Sequence, residues 1–132
     1  MTMGVGKDMK TAEESAPTQD VIVATADVGL RREIRRWIRQ VTGLEAAAVG
    51  SSTELLGLPH LERARLVVID EALPGTGGLV TGAMIRELHP SARLILAVSE
   101  THPKTCHMAE EIGFSMVMER HRGGFVLGGL DH

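Results

Sequence analysis

The sequence predicts an α/β domain built on a doubly wound, five-stranded parallel sheet with helices on both faces. Three observations lead there. Short apolar runs recur between Val21 and Met118, and several are apolar without alternation, as strands buried on both faces are. Amphipathic stretches of helical period separate them, so strands and helices alternate along the chain. The length, 132 residues, suits one domain with one core.

Residues 1 to 19 mix Gly, Ser, Thr, Pro and both signs of charge without a period that builds a buried face. They are expected to be a disordered leader, with the domain at residues 20–132. Val21 to Ala24 (VIVA) is the first strand. Leu30 to Val41 follows as a helix ended by Gly43. At about 100° per residue, Leu30, Ile34, Trp37, Ile38 and Val41 share one arc, and Arg31, Arg32, Arg35, Arg36 and Arg39 another. Leu44 to Val49 reads as a weaker second strand, and Ser51 to Leu61 as a short helical or irregular return broken by Gly57 and Pro59. Arg65 to Ile69 is a third strand that runs into Asp70, Glu71 and a loop with Pro74, Gly75, Gly77 and Gly78. Then come a helix over Leu79 to Leu88 stopped by Pro90, a fourth strand over Leu94 to Val98, a helix over Pro103 to Ile112 capped by Gly113, and a fifth strand over Phe114 to Met118. The closing HRGGFVLGGLDH is expected to supply a last, poor helix, because each of its glycines costs about 1 kcal/mol against alanine.

Composition excludes several classes of function. No apolar run approaches the roughly 18 residues of a membrane span, and the start lacks the apolar segment of a secretory signal, so a cytoplasmic protein without membrane contact is expected. A single cysteine, Cys106, rules out an internal disulfide framework and a cysteine-rich zinc site. One Trp, two Phe and no Tyr disfavour a base-stacking platform. The net charge of -3 is uneven: Val28 to Thr42 carries five Arg against one Glu, leaving -7 for the rest. That stripe reads as a solvated helix face in preference to a DNA surface. Cys106 and His107 are neighbours that point about 100° apart on a helix, which suits a packed thiol better than a nucleophile with its base. His102 and His107 face different sides, so no histidine metal site is expected. Met108, Met116 and Met118 read as core filler.

In doubly wound sheets, right-handed crossovers gather ligands at the carboxyl ends of the strands. Those ends hold Thr25, Ala26 and Asp27 after the first strand, Asp70 after the third, Val98 and Ser99 after the fourth, and Glu119 and Arg120 after the fifth. Leu73-Pro74-Gly75, a helix start at Gly78-Leu79 and the stretch EEIGFSMVM from Glu110 to Met118 complete the pattern. In order and spacing it resembles the receiver domain of two-component response regulators over about residues 20 to 130, and looks closest to receivers attached to NarL-type helix-turn-helix output domains.

The resemblance implies a flavodoxin/CheY-like (βα)5 sheet in strand order 2-1-3-4-5, with Asp70 as phosphoacceptor. In the family, Mg²⁺ is held by an acidic pair after the first strand together with that aspartate. Here Thr25 and Ala26 stand at the pair and Asp27 comes one position late. Mg²⁺, which takes hard oxygen ligands, is therefore expected to bind poorly, with Asp27 and Asp70 as the remaining metal candidates if a one-residue bulge brings Asp27 back. Arg120 matches the family's lysine and is expected to act as a fixed counter-charge to Asp70, and His121 matches its proline. The switch hydroxyl falls on Val98 without a gap and on Ser99 with a one-residue slip, Ser99 being favoured. Val117 replaces the aromatic switch and has no ring to rotate.

The resemblance therefore implies an atypical receiver: a non-enzymatic signalling module, independent of Mg²⁺-assisted aspartyl phosphorylation, that controls transcription through an output domain outside this chain. Two alternatives stand beside it, a conventional phosphorylatable receiver using Asp70 and a stand-alone receiver-fold adaptor for protein interaction. The partners implied are proteins: a sensor kinase, an output domain or regulator, and a second copy in a homodimer, with DNA reached only through a separate output domain.

Overall fold

A computed structural model of the chain describes residues 18–122 and 124–130. The elements are β1 (Thr18–Ala24), α1 (Val28–Thr42), β2 (Ala46–Val49), α2 (Ser52–Leu56), a 3₁₀ turn (Leu61–Arg63), β3 (Leu66–Asp70), α3 (Gly78–Leu88), β4 (Arg93–Val98), α4 (Pro103–Ile112), β5 (Met116–His121) and β6 (Gly124–Gly129). The sheet order is β2-β1-β3-β4-β5-β6. The first five strands run parallel in the expected 2-1-3-4-5 order, and β6 returns antiparallel to β5.

Alternation along each strand divides the core in two, because successive side chains leave opposite faces of a sheet. Ile22, Ala24, Val67, Ile69, Leu94 and Leu96 face one side, where Leu55 of α2, Ile85 of α3, Ala109 of α4 and Phe114 cover them. Val21, Val23, Val68, Ile95, Ala97 and Met118 face the other, against Leu30, Ile34 and Ile38 of α1. The apolar arc of α1 buries those three residues, while Trp37 is half-buried and Val41 is exposed. Helix α3 approaches the sheet at Gly82, where a Cβ would lie 2.2 Å from the ring of the fully buried Phe114, so this crossing tolerates no side chain.

Four expectations need correction. Residues after His121 form no last helix among the described residues: Gly124–Gly129 is a strand paired in register from His121↔Gly124 to Met116↔Gly129. Glycines that penalise a helix fit a hairpin, where the register sets the pairing. The first strand begins at Thr18, inside the stretch read as leader, since Thr18 pairs with Ala46; residues 1–17 lie outside the described residues. The fifth strand starts at Met116, two residues late, because Phe114 turns into the core beneath α3. Met108, read as core filler, is exposed, unlike the fully buried Met118.

Candidate functional site

Parallel register brings the carboxyl ends of β1 and β3 level, with Ala24 opposite Ile69, so the residues that follow each strand meet. Thr25 is fully buried. Its Oγ1 donates to Asp70 Oδ2 at 2.6 Å and accepts the Asp27 backbone N–H at 3.1 Å, joining the two loops. The other Asp70 oxygen, Oδ1, accepts from the Ala72 N–H at 2.9 Å. Short hydroxyl-to-carboxylate bonds of this kind are charge-assisted and stronger than neutral ones.

Asp27 works for α1. It is the N-cap, with Oδ1 accepting from the Leu30 N–H at 3.0 Å, which satisfies an amide that the helix leaves without a partner. Its Oδ2 lies 3.5 Å from Arg120 Nη1. Arg120 also pairs through Nη2 with Glu33 on α1. Arg31, on the same helix, donates to the Thr25 carbonyl at 2.9 Å. The end of β5 and the start of α1 are thus tied across the mouth of the site.

Asp27, Asp70, Glu71, Val98, Ser99 and Arg120 line a cleft of about 430 Å³, with Ala26 at its rim. The structure therefore gathers the residues singled out from the strand ends except Glu119, which turns to Thr101 outside the cleft, with the buried Thr25 bonded to Asp70. Val98 closes β4 and is buried, whereas Ser99 just beyond it is exposed. Arg120 does not fill the expected place as counter-charge to Asp70, since its ion pairs are with Asp27 and Glu33. That cation is held by carboxylates at the cap and in the first turns of α1. Glu33 was not foreseen as a site residue, and its distance in sequence from Arg120 left no local signal.

The donor set does not fit Mg²⁺. The ion requires near-ideal octahedral oxygen ligation. Both Asp70 oxygens already accept hydrogen bonds, and Asp27 is shared between a helix cap and a guanidinium. Among the described residues no three His, Cys, Asp or Glu side chains cluster as a metal site.

Two carboxylates outside the cleft have lowered pKa values. Glu119 is held below the ordinary carboxylate range first by the Thr101 hydroxyl, which donates at 2.8 Å, and further by the Thr101 backbone and the neighbouring His121. Glu62 is lowered chiefly by a hydrogen bond with its own backbone.

A strand order of 2-1-3-4-5, helices on both faces and an aspartate at the end of the third strand define the fold of a response-regulator receiver domain. The isolated receiver domain of RcsB from Salmonella enterica serovar Typhimurium, solved with a phosphomimetic beryllium fluoride, superposes with a TM-score of 0.68 at 21% identity, over 76% of this chain and 75% of that one. A LuxR-family response regulator from Aurantimonas gives 0.67 at 24%, over 74% and 70%. A pilus assembly-related protein from Burkholderia pseudomallei gives 0.65 at 20%, over 80% and 83%. No protein-family model and no curated protein sequence matches the chain. Among the described residues, no helix is long and apolar enough to cross a membrane.

Proposed function

We propose that the chain is an atypical receiver, a non-enzymatic regulatory module that signals through protein contacts and does not depend on Mg²⁺-assisted phosphorylation of Asp70. One observation carries the reading: the buried Thr25 hydroxyl sits 2.6 Å from the Asp70 carboxylate, at the position where the family places an acidic metal ligand. Phosphoryl transfer to a carboxylate needs a cation to neutralise the charge that develops on the phosphoryl oxygens. The neutral Thr25 and Ala26 hold no such ion, and Arg120 is engaged by Asp27 and Glu33. Each Asp70 oxygen also accepts one hydrogen bond, Oδ2 from Thr25 and Oδ1 from Ala72.

The proposed output is control of transcription through a domain outside this chain, in the cytoplasm, with a regulator protein as partner. A second reading, a protein-interaction adaptor, is favoured by the likeness to the pilus assembly-related protein, which extends over 83% of that chain.

The test is incubation with acetyl phosphate and Mg²⁺, followed by intact mass, with Asp70→Asn as control. No adduct is expected on either protein, and beryllium fluoride with Mg²⁺ is expected to leave the amide NMR spectrum around Asp70 unchanged. A phosphoryl adduct on the unaltered chain that disappears in the variant overturns the proposal and supports a conventional receiver.

A further inference from the structure

We infer that β6 is a docking edge for a second copy of this chain, joining two sheets into one through an antiparallel β6–β6 pair about a two-fold axis at Leu127. The inference is independent of how the Asp70 cleft is read.

The hydrogen-bond parity of the hairpin identifies which groups point outward. In an antiparallel pair, opposed residues alternate between those that exchange N–H···O bonds and those that do not. The Leu130 N–H donates to the Ser115 carbonyl at 3.1 Å, and the register continues from Met116↔Gly129 to His121↔Gly124. The even-numbered residues of β6 therefore bond β5. The N–H and C=O groups of Phe125, Leu127 and Gly129 are directed away from it, and β6 is the last strand of the sheet.

Nothing in Gly124–Gly129 guards this edge. The strand GFVLGG has no charge and no proline, the usual devices that keep exposed edges from pairing. Val126 is 56% exposed and Leu127 37%.

The occupant follows from the side chains. An edge that bonds through Phe125, Leu127 and Gly129 meets its own copy in full when Leu127 faces Leu127 of the second copy. Phe125 then lies opposite Gly129 of the second copy, Val126 opposite Gly128, and Gly124 opposite Leu130. Each large residue in the first half of the strand faces a glycine in the second half, and the two leucines meet on the axis. Cross-strand neighbours lie about 4.5–5.5 Å apart, close enough for these side chains to cover one another and the bare glycine backbone. Leu127 shares a face with Met118, so the leucine pair extends the core that α1 covers. Such an interface is isologous and closes at two copies, whereas pairing β6 with the β2 edge of another copy would propagate as a fibre.

The test is sedimentation velocity and light scattering on the 132-residue chain over a concentration series. A monomer–dimer equilibrium is expected. Leu127→Lys places two like charges face to face, and Leu127→Pro removes an N–H that β5 does not use. Both should raise the dimer dissociation constant roughly tenfold or more while far-UV circular dichroism stays unchanged. If either variant loses its fold, Leu127→Cys in a Cys106→Ser background decides: a mild oxidant should give a disulfide-linked dimer faster than in Val80→Cys, an exposed control on α3. A chain that is monomeric at every concentration overturns the inference. So does a dimer that survives both Leu127 substitutions, or a Leu127→Cys protein that links no faster than the control.

Discussion

Replacing Thr25 by Val removes one hydroxyl from a fully buried side chain and leaves its volume almost unchanged, so the perturbation falls on two hydrogen bonds. The bond to Asp70 Oδ2, at 2.6 Å, has a charged acceptor, and such bonds contribute about 1.5–3 kcal/mol net. The second, from the Asp27 N–H, adds less, because Asp27 is exposed and water can replace the lost oxygen. Thr25→Val should therefore cost about 1.5–3 kcal/mol in urea unfolding at pH 7, about 6–12 °C in Tm for a domain of this size. The pair is isolated by a double-mutant cycle with Asp70→Ala. If the hydroxyl acts through the carboxylate, the second substitution costs little once the first is made, and the coupling is about 1.5 kcal/mol or more. A coupling below about 0.5 kcal/mol, the usual error of additivity, would refute the argument that Thr25 holds Asp70 in place.

Gly82→Ala should destabilise the domain by about 1–3 kcal/mol in denaturant, since the new methyl would overlap a ring with nowhere to move; combined with Phe114→Leu its cost should fall, and simple additivity would count against the clash. At Glu119, Thr101→Val removes the first cause of the lowered pKa, so a ¹³C NMR titration should find the carboxyl back toward the ordinary carboxylate value. A carboxyl with a lowered folded-state pKa contributes stability that is present above its unfolded value and lost as pH falls through the folded value. The variant should accordingly lose less stability on acidification below about pH 4.3 than the parent does.

The sheet was legible because its signals are local. Solid apolar runs at Val21, Leu66, Leu94 and Met116 leave little choice but buried parallel strands, and the arc of Leu30, Ile34 and Ile38 marks the face of α1. Asp70 was legible for the same reason, as an acid directly after an apolar strand. The Thr25–Asp70 contact depends on register between strands 45 residues apart, which no local pattern encodes. The partners of Arg120 were misread for a related cause: its match to the family's lysine suggested Asp70, whereas the fold offers it Asp27 at the cap of α1 and Glu33 within the helix. The strand β6 carried a usable signal that the expectation of a helix after every strand obscured. The segments MVMERH, apolar in its first half, and GFVLGG lie either side of Arg122-Gly123, a spacing that suits a tight hairpin.

That hairpin also sets an order of events during folding. Its strands meet between His121 and Gly124, whereas each parallel pair must wait for a whole crossover to arrive. Hairpins close in about 1–10 μs, and sheets that rely on distant pairings are far slower. A chain diluted from denaturant would thus visit a β5–β6 ribbon, marginal on its own and open along both sides, while the seats for β3 and β4 are still empty. Refolding yield should fall with protein concentration for that reason, even where the native protein stays clear in solution.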